Sequence, residues 1–228
     1  MTKCATFMLL LFIANTAGAQ NPAGAKELFG GGVNRKVVGS PQRGSTSAAT
    51  YTPASKPVTP PFGLSCWIEL VESAGRQGSQ VVHTRMFKSG ERIRLHFTGN
   101  ANGYISLVQL GASGTASVLF PDTARGLVDN AIRAGADEII PSEKHWFKFD
   151  NTPGTEHLLV LFAKTREELD RFVNEQAMDL DATAAMLQFA DRVTGGKDLI
   201  TEIVEDEATY TVNKMGNLIV MRLALVHQ

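Results

Sequence analysis

The sequence predicts a mainly β protein: an antiparallel β-sandwich-like domain with a two-helix insertion before a C-terminal β-hairpin. Three observations lead there. Apolar residues alternate at period two through most of the hundred residues after position 61, turn residues punctuate those runs, and helical periodicity is confined to one block after residue 164. No strand–helix–strand alternation occurs, which argues against a parallel α/β sheet.

The 228 residues divide into a leader, a linker and a domain. Residues 1–19 carry Lys3, an apolar run from Cys4 to Ala14, and the small-residue site Ala17-Gly18-Ala19, so a signal peptide is expected with cleavage between Ala19 and Gln20. The apolar run is well short of the roughly 20 residues that span a bilayer, so no transmembrane anchor is expected after cleavage. Cys4 precedes that run, whereas a lipid-accepting cysteine would follow it. The expected location is therefore the periplasm or the extracellular space. From Gln20 to Pro61 lie six of the nine prolines, with Gly, Ser, Thr and Ala around them, the composition of a disordered linker reaching roughly 35 Å. Within it Ala25-Lys26-Glu27-Leu28-Phe29 places two large apolar residues together, making Leu28 and Phe29 candidates for docking on a sheet edge or a partner.

The domain, 62–228, reads in order as follows. Leu64, Cys66, Ile68 and Leu70 share one face of a first strand. A weaker strand spans Ser79–Met86. In Glu91–Thr98, Ile93, Leu95 and Phe97 point inward while Arg92, Arg94 and His96 point out. Tyr104–Leu110 and Thr115–Phe120 form a hairpin across Gly111-Ala112-Ser113-Gly114. An irregular stretch, 122–136, leads to short strands near Glu138–Ile140 and His145–Asp150. Glu156–Ala163 is a nearly continuous apolar run, as expected of a strand covered on both faces. Thr165 with Glu168 forms a capping box for a helix through about Gln176, burying Leu169, Phe172 and Val173. Asp181 caps a second helix ending at Gly195-Gly196. Ala208–Asn213 and Leu218–Val226, joined by Lys214-Met215-Gly216, supply the terminal hairpin.

Residues 62–228 hold 16 basic and 22 acidic side chains against a net +4 in the linker, a poor balance for a nucleic-acid binder. No two of the five histidines have the i, i+4 spacing that presents two imidazoles to a metal, and His96 sits beside two arginines, so no metal site and no cofactor are expected. Ser113 lacks the G-x-S-x-G elbow of a serine nucleophile. The glycine-rich 99–103 run has no following helix for a phosphate. Glu205-Asp206-Glu207 reads as a solvated acidic loop, and Cys66, in an alternating strand, as a buried small hydrophobe. No catalytic residue is assigned.

Gly63–Leu70, Phe87–Leu95, Asn102–Leu107, Val118–Pro121, Ile139–Pro141 and Phe149–Glu156 together resemble the bacterial domain of unknown function 4384 over about residues 62–165. The resemblance implies a β-rich accessory module of exported bacterial proteins, without assigned catalytic residues. Its glycines, Gly90, Gly103 and Gly154, fall where a turn needs positive φ or a missing side chain, and Pro153-Gly154 suits a type II turn. The expected function is thus an exported, non-catalytic accessory or binding module of the cell envelope, engaging another protein or an envelope component. Two alternatives remain: a small-molecule or glycan-binding sandwich using Trp67, Trp146 and the 122–136 loop, and an uncharacterised hydrolase whose carboxylates assemble in space.

Overall fold

The computed structural model describes residues 24–30, 61–72, 78–110, 116–177, 198–205 and 207–228. The expected leader with its Ala19–Gln20 cleavage point, most of the expected linker, the expected Gly111–Gly114 turn and the expected second helix from Asp181 lie outside the described residues.

Two antiparallel sheets face each other. Sheet A runs in the order β10 (Leu199–Val204), β11 (Ala208–Asn213), β1 (Phe62–Leu70), β3 (Arg92–Gly99) and β7 (Asp137–Ile140). β2 (Ser79–Val81) adds to β1, and β8 (Phe147–Lys148) to β3. Sheet B runs β12 (Leu218–His227), β9 (Gly154–Ala163), β4 (Gly103–Leu110) and β5 (Ala116–Phe120), with β6 (Ala131–Ile132) against β4. The fold is mainly β and sandwich-like, as the alternation requires.

Inward residues of β1, β3 and β4, among them Leu64, Ile68, Leu95, Phe97, Ile105 and Leu107, meet Leu158, Val160 and Phe162 of β9 and Ile219 to Leu225 of β12. The Phe62 and Phe162 rings stack across the core, 4.5 Å apart and 15° from parallel. At Gly103, a Cβ would fall 2.5 Å from the Ala163 carbonyl oxygen and 2.6 Å from the Phe162 ring, so this strand start admits no side chain. β9 is buried on both faces from Leu158 to Ala163 because α2 (Arg166–Ala177) covers the outside of sheet B. Leu169 and Phe172 pack there on Val108, Leu159, Leu161 and Val220. Thr165 Oγ1 accepts the Glu168 amide at 3.2 Å, the N-cap bond of the capping box.

Several expectations are corrected. The last two strands do not form a hairpin: β11 pairs with β1 and β10, whereas β12 pairs with β9 in the other sheet. Asn213 makes the corner between sheets, its Oδ1 accepting the Met215 and Gly216 amides and its Nδ2 donating to the Leu218 carbonyl. The hairpin that does form joins β10 to β11. The strand expected over Ser79–Met86 shortens to Ser79–Val81, and that over His145–Asp150 to Phe147–Lys148. Gly90 has φ +85°, but Gly154 has neither positive φ nor a crowded Cβ, because it opens β9 in ladder register with His227. Cys66, 3 % exposed, lies inside the sandwich, where burial pushes its thiol far above the ordinary range and beyond reach of a second chain.

His96 does not stand among arginines. On the outer face of sheet A it is buried between two carboxylates, with Nδ1 2.8 Å from Asp137 Oδ2 and Nε2 3.2 Å from Glu69 Oε2. The two contacts hold the ring between β1 and β7 of sheet A. Arg94 turns from His96 to Glu69 and to the His145 carbonyl. The cross-strand neighbours on β1 and β7, invisible along β3 itself, set this environment.

Phe162→Ala should lower the unfolding free energy by about 3–5 kcal/mol in a urea melt, since it removes the centre of the ring stack. The Glu69 carboxyl titrates below its ordinary 4.5: burial pushes it up, but hydrogen bonds from His96, the Gly78 amide and Arg94 outweigh that. Such a group stabilises the fold above its ordinary pKa, and the contribution is lost as pH falls through the lowered folded value. Glu69→Gln should therefore flatten the loss of stability from about pH 5 to about pH 3, leaving the part due to Glu91, which Arg85 also holds low. Urea midpoints across that range measure it; an unchanged slope would separate the network from folding.

Candidate functional site

The segments after β5 and β7 build a groove at one corner of the sandwich. β5 runs into a cis Phe120–Pro121 bond and a short 3-10 turn, Thr123–Arg125. Asp122 caps that turn, accepting the Arg125 amide at 3.1 Å and its guanidinium at 2.8 Å. Gly126 reverses the chain with φ +72°, and Leu127 and Asp122 exchange backbone hydrogen bonds. β7 ends in a second cis bond, Ile140–Pro141, followed by a Ser142–His145 turn. Ser142 Oγ lies 2.8 Å from His145 Nδ1, and Lys144 donates its amide to the same oxygen, so this serine and histidine hold a turn.

The floor between these segments is apolar: Leu119, Leu127, Pro141 and Phe147. Arg125, Lys144 and Lys148 line it too, with Asp122 as the carboxylate among them, around a volume of about 410 Å³. Trp146 forms one wall, 42 % exposed, with the Arg92 guanidinium 4.8 Å from its ring centroid. The packing follows from register, because Arg92 pairs with Lys148 and Ile93 with Phe147. Leu119, Phe147 and Lys148 also line a neighbouring cavity of about 210 Å³ between the sheets, with Ile93, Phe149 and Leu225. Asp150 and Glu156 line that cavity as well. Glu156 is engaged there, accepting from Gln109 at 2.7 Å and lying 3.6 Å from the buried His227 ring. Among the described residues no three His, Cys, Asp or Glu side chains group as metal ligands.

The two tryptophans singled out in the sequence are not partners in one site. Trp67 does not line the groove; it stacks on His96 at 3.6 Å, closing the buried carboxylate–imidazole network. Trp146 stands at the groove with the start of the 122–136 loop. The basic rim was not singled out in the sequence, though the outward position of Arg92 in its strand was the available signal. Leu28 and Phe29 belong to a helical turn, α1 (Ala25–Phe29), that lies on the domain itself: Phe29 meets Tyr210 edge-on at 5.5 Å. The acidic loop at Glu207 is not simply solvated, since Glu207 forms an ion pair with Lys26 and accepts from the Tyr210 hydroxyl.

No curated protein and no solved structure matches the chain. The family model of a domain of unknown function, DUF4384, matches residues 86–166. The resemblance expected from residue 62 thus begins later, and β1 with its Gly63–Leu70 motif falls outside it. The matched span runs from β3 to β9 and holds every residue of the Trp146 groove, while α1, β1 and β10 to β12 flank it. Residues 86–166 of this chain are therefore similar to the domain of unknown function 4384.

Proposed function

We propose that the chain is an exported, non-catalytic binding module of the bacterial cell envelope that engages another protein through the Trp146 groove. The observation that carries this reading is an exposed tryptophan beside an apolar floor, edged by cations, on a domain that is otherwise acidic. Tryptophan and arginine are the side chains on which interface energy concentrates, and the Arg92–Trp146 pair presents both already ordered. Arg92, Arg125, Lys144 and Lys148 against Asp122 suit a partner with an apolar anchor flanked by carboxylates. Export is read from the leader, and the family resemblance to accessory modules agrees with it.

A second reading has one observation in its favour. The Trp146 ring, covered by Arg92 on one side and open to solvent, is also a platform on which a sugar ring stacks.

The test is capture of tagged, exported protein from crosslinked envelopes, with wild type and Trp146→Ala side by side. Wild type should enrich a defined protein, and Trp146→Ala should lose at least tenfold of it while its thermal midpoint stays unchanged. Recovery of bait alone, where known complexes survive, or an identical set from both proteins, would overturn the protein-binding reading. Retention of wild type but not Trp146→Ala on cell-wall glycan would move the assignment to the second.

A further inference from the structure

A second surface, distinct from the groove, carries its own ligand in the structure. α1 sits on the outer face of sheet A across β1, β10 and β11, with residues 30–60 between it and Pro61. The short turn lacks a capping side chain of its own, and the domain supplies one: Glu202 Oε2 accepts the Lys26 amide at 3.0 Å. A Cβ at Gly24 would fall 2.5 Å from the same oxygen, so a side chain there would push this carboxylate from its place. Ala25 is fully buried, so nothing larger fits beneath the first turn. The Lys26 ammonium pairs with Glu207 and lies 5.9 Å from the Tyr210 ring centroid. Phe29, three residues on and hence on the same side of the turn, meets Tyr210 edge-on. Its ring occupies the space above Gly63, where a Cβ would come within 2.8 Å of it, and Asn100 donates to its carbonyl at 3.4 Å.

Each contact matches one feature of the segment: a carboxylate for a turn amide, a second carboxylate and a phenol for a lysine, a missing side chain for a phenyl ring. Yet each is of an individually weak kind. The Lys26–Glu207 pair is nearly half exposed on both sides, and the aromatic contact is a single edge. A five-residue turn is too short to hold its own helical shape, so the surface shapes the segment. Its hold in the free chain comes from attachment, which makes the contact intramolecular and raises its local concentration.

We propose that this face of sheet A, built from Gly63, Asn100, Glu202, Glu207 and Tyr210, is a peptide-binding groove. The chain's own Ala25–Phe29 turn occupies it until a partner peptide with the same pattern, small residue–Lys–x–x–aromatic, displaces that turn. All of the groove's residues but Asn100 lie outside the family span, and it shares none with the Trp146 groove, so either proposal stands or falls without the other.

The test uses a fluorescent peptide of residues 23–30 and three mature full-length proteins: wild type, Lys26→Glu/Phe29→Ala, and that double variant with Glu207→Lys. Anisotropy should show the double variant binding the peptide at least tenfold more tightly than wild type, whose own turn competes. Glu207→Lys should undo most of the gain, and a charge-reversed peptide carrying Glu in place of Lys should recover it. Equal binding by wild type and the double variant, or binding indifferent to Glu207→Lys, would overturn the proposal. Phe29→Leu keeps an apolar contact at the same place; it should give an intermediate gain if the double variant is too unstable to assay, and no gain if the groove does not bind in trans.

Discussion

The burial of β9 on both faces is the constraint on which the rest of the structure depends. Its inward residues Leu158, Val160 and Phe162 close the space between the sheets, and its outward residues Leu159 and Leu161 seat α2. A strand covered on both sides cannot lie at an edge with one face in water, so β4 and β12 must flank it, and they do in long antiparallel ladders. Phe162 then fixes the spacing of the sheets at that point. Its ring is stacked on Phe62 and pressed to the backbone at Gly99 and Gly103, which leaves no room for a side chain at either glycine. The capping box at Thr165 follows within two residues, so one continuous stretch of chain ends the core strand and starts the helix that covers it.

The second organising feature is the late crossing from one sheet to the other. β11 completes sheet A against β1, and four residues later β12 begins sheet B against β9. Contacts between strands distant in sequence thus close both sheets, and residues beyond the family span are built into the same core. Leu199 lies in one cluster with Ile93 and Phe97, as do Ile219 and Met221. The last strand also receives the chain before β3: Phe87 donates to the Val226 carbonyl, and Gln228 donates back to Phe87. A matched span of residues 86–166 is therefore no separate body here, since the sheets that carry its groove are completed by strands from both flanks.

Alternation along single strands was legible in the sequence. Which strands pair was not. The faces of β1, β3 and β4, the double burial of β9 and the start of α2 all follow from period and capping, which are local properties. β11 and β12 read as a hairpin because each alternates and few residues join them, but alternation names a face and not a neighbour. The Asn213 corner needs one side chain to serve three backbone groups, a role without a spacing signature. His96 was misread for the same reason: its neighbours along the strand are arginines, and its neighbours across the ladders are Glu69 and Asp137. Trp67 and Trp146, alike in the sequence, part company because one is two residues from Glu69 on a central strand and the other follows a turn. The docking of α1 through Phe29 was half visible as the apolar pair Leu28 and Phe29 in a polar tract. Its acceptor, divided among β1, β10, β11 and their loops, had no single motif to show.

The two surfaces also differ in electrostatic sense. The linker is basic and the domain acidic. Near the start of the linker, Lys26 lands between a carboxylate and a phenol on the acidic sheet, so opposite charge draws the segment inward. The Trp146 groove gathers cations on that same acidic domain and would repel a basic linker. Among the described residues, the basic segment therefore lies on the acidic face. Opposite charge on the two faces means that an acidic group drawn to the cations around Trp146 would be repelled by Glu202 and Glu207 at the site of α1.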